Sequence, residues 1–348
     1  MRRSAKKTSG LQELASGQNI VYAGIAWAIF SLLFFLLFST PIPEQDNPFW
    51  YLFGTYILEC VPFLAAALLC FRNWRSPQIA SGRNVWLGIG LAMACYLVGN
   101  LLFGWWELHW NLDPDVSPAD LFYIAFYLFI SWGMILAVLP RRLNLEKWQW
   151  LTVGGIAVVG IAFAALVSWD APAEATEVHG WSGKATTQLV AQAQQPAPSP
   201  SVSPPSPATP ATPTASPTPV IEEEAESATS APVWVQSLND SLEKLSKPVN
   251  LFYVVADVFL LIVATTLLLA FWGGRFSQSW RTIAAATLAL YIADMWFKYT
   301  ATLPDYESGS LLEVFYVFSA VLFAIGAALE YDISSRSRRG GRGRRKRG

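Results

Sequence analysis

Eight stretches of about 20 mostly apolar residues leave this chain little choice but to cross a membrane repeatedly. They run over roughly 20–38, 51–71, 85–106, 119–139, 148–169, 249–272, 280–301 and 311–331. Lipid offers no partner to a free backbone amide, so each stretch is predicted to be a helix. Composition agrees: of 348 residues 53% are hydrophobic and 14% charged, against about 25% charged in soluble domains. The first stretch is longer than a signal-peptide core, and Phe38-Ser39-Thr40-Pro41 is a poor cleavage site, so it reads as a retained anchor. Trp148 and Trp150 at one end of the fifth stretch and Trp169 at the other are placed as interfacial residues are. The expected class is an all-α integral membrane protein with eight transmembrane helices.

Charge sets the expected orientation. Basic residues gather in alternate connections: Arg2, Arg3, Lys6 and Lys7; Arg72, Arg75 and Arg83; Arg141, Arg142 and Lys147; Arg275 and Arg281; and the tail. Twenty of the 24 Lys and Arg fall on that one side. The opposite connections carry Glu44, Asp46, Asp113, Asp115, Asp305 and Glu307. The positive-inside rule then puts both termini in the cytoplasm, and a bacterial plasma membrane suits the pattern. The expected segments are a basic amino end (1–19), spans one to five (20–169), an outer segment (170–248), spans six to eight (249–331) and an Arg/Gly-rich tail (332–348).

The outer segment holds ten prolines within 196–219, among Ser, Thr and Ala, a composition that predicts a disordered linker. Beyond it, Trp234, Leu238, Leu242 and Leu245 form one apolar stripe on a short helix. That helix could lie in the outer headgroup layer or dock an extracytoplasmic partner.

Three spans open alike. Pro118-Ala119-Asp120-Leu121-Phe122-Tyr123-Ile124, Pro248-Val249-Asn250-Leu251-Phe252-Tyr253-Val254 and Leu312-Glu313-Val314-Phe315-Tyr316-Val317 each set a polar residue before an aliphatic, Phe and Tyr. Asp120, Asn250 and Glu313 suit a helix start, where backbone N–H groups are free and the dipole end is positive. The aromatics are expected at headgroup depth. Tyr96 precedes Tyr123 much as Tyr291 precedes Tyr316, and Glu59 and Asp257 follow Pro48 and Pro248 at similar distances. Spans one to four and five to eight can therefore be read as two parallel four-helix halves.

Ionisable residues at membrane depth are costly and often functional. Glu59, Asp257 and Asp294 stand out, with Lys298 one turn after Asp294 and able to pair with it. Together with Tyr96, Asn100 and Tyr291 they could line an outward-facing pocket for a ligand or proton; alternatively they bond to neighbouring helices or reach outer water. Trp105-Trp106-Glu107-Leu108-His109-Trp110 reads as an aromatic belt with wetted Glu and His rather than a lone-histidine site. Gly99, Gly104, Gly154, Gly155 and Gly160 are expected to allow close helix approach. Cys60, Cys70 and Cys95 lie in apolar runs and the two histidines lack nearby ligands, so neither a disulfide framework nor a metal or cofactor is expected.

The tail carries Arg336, Arg338, Arg339, Arg342, Arg344, Arg345, Lys346 and Arg347. Beside a membrane such a cluster holds anionic lipid headgroups, at roughly 1 kcal/mol per basic residue near the surface. It also has the make-up of a segment that grips RNA through phosphate and stacking, though no specific nucleic acid is expected. Only 17 residues follow the eighth stretch, too few for a cytoplasmic catalytic domain, and no nucleophile–base pair or phosphate loop points to an enzyme.

Ser117-Pro118-Ala119-Asp120-Leu121-Phe122-Tyr123, with Asp257, Asp294 and Glu307-Ser308-Gly309-Ser310-Leu311-Leu312-Glu313, resembles the multi-helix membrane input region ahead of some bacterial diguanylate cyclases and histidine kinases. The likeness covers about residues 85–331 through short motifs; the output domain is missing and the Pro-rich insertion is unusual. It implies a sensor or scaffold that communicates with separate membrane or cytoplasmic partner proteins. The other reading is a small-solute or proton-coupled transporter or channel using the intramembrane acids.

Overall fold

The computed structural model describes residues 17–40, 47–110, 112, 114–139, 146–169, 231–271, 277–301, 303 and 308–345. Every regular element among them is helical: α1 (Gly17–Phe38), α2 (Phe49–Arg75), α3 (Arg83–Trp110), α4 (Asp120–Val138), α5 (Lys147–Trp169), α6 (Val233–Glu243), α7 (Ser246–Ala270), α8 (Ser277–Thr300), a 3-10 turn (Leu311–Glu313) and α9 (Val314–Arg345). The Pro-rich linker, the basic amino end and most of the connections that set the expected orientation lie outside the described residues.

Seven of these helices are long and apolar enough to cross a membrane: α1 to α5, α7, and α9 with the turn before it. The protein thus has the architecture of a multi-pass membrane protein. In α1 only 11% of the most apolar window is buried, and Ile25, Ile29, Leu33 and Leu37 stand exposed along it. An apolar face of that extent needs lipid as its solvent. The helix missing from the seven is α8, of spanning length but carrying Arg281, Asp294 and Lys298. It packs against α5, α7 and α9, which lets it be more polar than a helix facing lipid. Its course is antiparallel to α9: Asp294 meets Tyr316 near one end, and Ser279 Oγ bonds Gly326 O (2.8 Å) near the other.

Six helices close a ring in the order α2, α3, α4, α7, α8, α9 and back to α2, while α1 packs outside on α9 and α5 outside on α7. One apolar core fills the ring and draws on all six, from Phe63, Trp86 and Met93 to Phe126, Leu260, Ile283 and Phe323. Two contacts recur at matching registers. Gly133, ten residues after Tyr123, lies against Val85 and Ile89; Gly326, ten after Tyr316, lies against Ser279 and Ile283. Trp86 and Trp280, one residue after Val85 and Ser279, are both fully buried with ring centroids 6.2 Å apart.

The expected packing glycines divide. Gly99 and Gly104 admit the rings of Tyr123 and Tyr56, and Gly160 the Leu261 side chain, but a Cβ at Gly154 or Gly155 would meet nothing within 4 Å. Those two sit on the outer face of a helix held by one side only, so no neighbour needs the space. Cys60, Cys70 and Cys95 are free thiols.

Candidate functional site

The entries to α4 and α9 are built by Ser-x-x-acid sequences. The Asp120 carboxylate accepts from Ser117 N–H (2.7 Å) and Ser117 Oγ (3.3 Å). Glu313 does the same before α9, accepting from Gly309 N–H (2.8 Å), Ser310 N–H (3.1 Å) and Ser310 Oγ (2.9 Å). Both acids thus satisfy backbone donors at a helix start. Gly309 has φ +96°, and a Cβ there would stand 2.7 Å from the Tyr51 ring, whose hydroxyl donates to Gly309 O (2.5 Å). Only glycine fits that turn.

From these entries the helices carry tyrosines inward, onto the acids. Tyr123 on α4 donates to Asn100 Oδ1 (2.9 Å) on α3, and Asn100 Nδ2 donates to Glu59 Oε2 (2.8 Å) on α2. Tyr316 on α9 donates to Asp294 Oδ1 (3.0 Å) on α8. Tyr127, one turn below Tyr123, lies between Asp257 Oδ1 (2.5 Å) on α7 and Asp294 Oδ2 (2.8 Å). With α2, α3 and α4 as one half-ring and α7, α8 and α9 as the other, one helix of the first therefore reaches two acids of the second. Tyr253 on α7 donates to Asp120 Oδ1 (2.6 Å), and the Tyr56 hydroxyl bonds the Glu107 carboxylate. Tyr96 sits between the groups, stacked on Phe63 (4.0 Å) and close to Tyr123 (5.3 Å) and Tyr316 (6.1 Å).

Glu59, Asn100, Tyr96, Asp257 and Asp294 thus meet in one cluster, but three expectations need correcting. Lys298 acts on Asp294 through charge, as its position one turn on suggests, but makes its hydrogen bonds elsewhere. Its Nζ approaches Asn250 O (3.2 Å) and Oδ1 (3.5 Å) on α7, 5.5 Å above the Tyr253 ring. Two phenols already occupy the Asp294 oxygens, and the long lysine stem reaches the next helix. Tyr291 turns away to donate to Gly160 O (2.9 Å) on α5. Tyr253 and Tyr316 bond the acids Asp120 and Asp294 and Tyr123 bonds the Asn100 amide, each across to a neighbouring helix rather than outward, and Glu107 is buried rather than wetted. Their spacing was visible in the sequence; the inward direction was not, because an aromatic girdle and an acid-binding stripe share one pattern. Tyr127, Tyr56 and Glu107 carry no separate signal of a site in the sequence for the same reason.

No family model, curated protein or solved structure matches this chain.

The polar cluster is packed group on group. Two open grooves among the described residues lie elsewhere, one lined by apolar side chains of α1, α8 and α9 and the other by Ser81 to Val85 with Leu136. Among the described residues no three His, Cys, Asp or Glu side chains converge as for a metal ion.

A second polar network lies toward the other end of α9. Glu330, fully buried, accepts from Ser81 Oγ (2.7 Å) and Ser81 N–H (3.3 Å). Ser334 Oγ accepts from Ala80 N–H (3.3 Å), Gln78 Nε2 donates to Ser335 Oγ (2.8 Å), and Asn73 Nδ2 donates to Ala327 O (2.8 Å). The α2–α3 loop is thereby tied to α9. Arg336 beyond it is exposed; the side chains of Arg338, Arg339, Arg342, Arg344, Arg345, Lys346 and Arg347 lie outside the described residues.

The short stripe helix, α6, docks on this chain's own α3. Val235 is buried, Trp106 Nε1 donates to Asn239 Oδ1 (3.1 Å), and Trp234 meets the Trp106 and Trp110 rings edge-on. Trp106→Phe removes that hydrogen bond, worth about 1 kcal/mol. Faster amide exchange confined to 233–243 is the expected result; unchanged exchange there would show that the bond does not hold the helix.

Proposed function

We propose that the protein is a multi-pass membrane sensor or scaffold that relays a conformational state along α9 to separate partner proteins. In this reading α8 crosses as the eighth span, the two half-rings are parallel repeats, and both termini face the cytoplasm. One observation carries it: a single unbroken helix is tied by Tyr316 to the acid cluster and by Glu330 and Ser334 to the α2–α3 loop. Movement of that helix at the cluster must be felt at the loop and at the basic segment that continues it, where basic residues suit anionic lipid headgroups. The matching registers of Gly133 with Gly326 and Trp86 with Trp280 support the repeat, as does the shared Ser-x-x-acid entry. The motif likeness to bacterial membrane input regions points the same way.

Cross-linking in native membranes followed by affinity purification tests the reading. The intact protein is expected to yield the same partner reproducibly, with recovery several-fold lower in Glu330→Ala at equal membrane abundance. Ser334→Ala serves if that variant fails to accumulate. Recovery of no reproducible partner by the wild-type protein would sink the proposal. The acids at membrane depth also fit a proton-coupled transporter, which would show a flux in liposomes that Asp257→Asn abolishes.

A further inference from the structure

We infer that the Asp257–Asp294 pair is a proton-binding site, holding one proton on Asp257 at the junction of the two half-rings. The inference deepens the sensor reading by naming a ligand, and rests on that reading only for what the proton would signal.

The argument is a count of hydrogens. Three close oxygen–oxygen contacts join the cluster: Tyr127 to Asp257, Tyr127 to Asp294, and Tyr316 to Asp294. The two phenols bring two protons. A hydroxyl has one hydrogen to give, so Tyr127 can donate to one carboxylate only; its second contact is a hydrogen bond only when the other carboxyl group donates. A third proton completes the set.

Geometry places that proton. Both Asp294 oxygens already have a phenol, Oδ1 from Tyr316 and Oδ2 from Tyr127. Asp257 is 2% exposed, and its Oδ2 receives no hydrogen bond. A buried carboxylate oxygen with no donor is expensive, and far more so when it bears charge. A neutral Asp257 removes the charge, gives Tyr127 its missing donor, and frees the Tyr127 proton for Asp294.

The surrounding charges fit one anion. Lys298 is the cation that acts on both acids, and it acts on Asp120 as well. From α7 itself Tyr253 stands near, already donating to Asp120, and α8 adds Tyr291, turned to Gly160. From α3, Tyr96 faces Asp294. Among the described residues Lys298 thus faces three carboxyl groups with one positive charge, and a proton on Asp257 removes part of that negative excess. The position is consequential because Tyr127 belongs to α4, whereas Asp257, Asp294 and Tyr316 belong to α7, α8 and α9. Loss of the proton would set two like charges against each other across the α7–α8 contact and leave α4 holding only one of them.

Infrared difference spectra of the purified full chain in lipid nanodiscs at neutral pH test this. The wild-type protein is expected to show a carboxylic-acid carbonyl band, sensitive to deuterium exchange, that Asp257→Asn removes. Labelling aspartate side chains with carbon-13 in the unsubstituted chain should shift the same band, which keeps the test decisive if the variant does not fold. No band lost in the variant and no shift on labelling would overturn the inference. So would loss of the band on adding sodium at constant pH, since the pair would then take a metal ion. None of these outcomes depends on a partner protein, so the site and the signalling reading can fail separately.

Discussion

Gly88→Val should leave little folded protein in the membrane. A Cβ at Gly88 would stand 2.7 Å from Gly133 Cα, 2.9 Å from Gly133 N and 3.1 Å from Phe129 O. All three are backbone atoms of α4, so no side chain can swing aside. The fit is reciprocal: a Cβ on Gly133 would come within 3.0 Å of Ile89 N and Val85 O. Relief requires α3 and α4 to separate, which opens the ring next to Trp86, Ile89 and Met93. Overpacking of a tight core costs up to about 3 kcal/mol, and a backbone clash belongs at the upper end. Thermal unfolding in detergent and the yield of monodisperse protein measure it. Gly154→Ala is the control: with open space around it, it should match or slightly exceed wild-type stability through its better helix propensity. Equal melting of Gly88→Val and wild type would mean that the α3–α4 contact is not as close as described.

Tyr127→Phe should be nearly as damaging, although it removes a single oxygen. That oxygen joins Asp257 to Asp294 and α4 to both. Its loss leaves the Asp257 proton without an acceptor and takes one of the two donors from Asp294. Hydrogen bonds to charged groups contribute about 1.5–3 kcal/mol each, so a loss of about 3 kcal/mol is expected. Tyr291→Phe, which gives up one bond to the Gly160 carbonyl, should cost about 1 kcal/mol. Adding Asp257→Asn to Tyr127→Phe should recover part of the loss, because the two act on one network and cannot be additive. Melting temperatures of the four proteins decide the matter. A Tyr127→Phe penalty no larger than that of Tyr291→Phe would remove the phenol from its bridging role.

Most of the helical framework could be read from the chain because it depends on long one-dimensional patterns. Apolar runs between Phe49 and Arg75, or Ser246 and Ala270, announce themselves by length and composition. The seventh stretch has the length of the others, yet its polarity makes sense only beside α5, α7 and α9, which no local pattern reveals. The acids Glu59, Asp257 and Asp294 were conspicuous because charge is rare at that depth. Their partners were hidden for a different reason. A tyrosine suits both an interface and a hydrogen-bonding core, and only the rotation of α4 and α9 about their axes decides which. Gly154 and Gly155 show the converse. Glycine marks close approach where a neighbour exists, as at Gly88, and nothing where the helix side is open.

Trp86 and Trp280 occupy one register of α3 and α8, yet they touch each other rather than separate surroundings. At the same distance along the two helices α3 offers the amide Asn100 and α8 the carboxylate Asp294, each with its own partners. The indoles have no such latitude. A change in the size of either is presented at once to the other, so enlarging one side of the contact demands a smaller residue opposite, while the acids and amides a few turns away answer to separate neighbours.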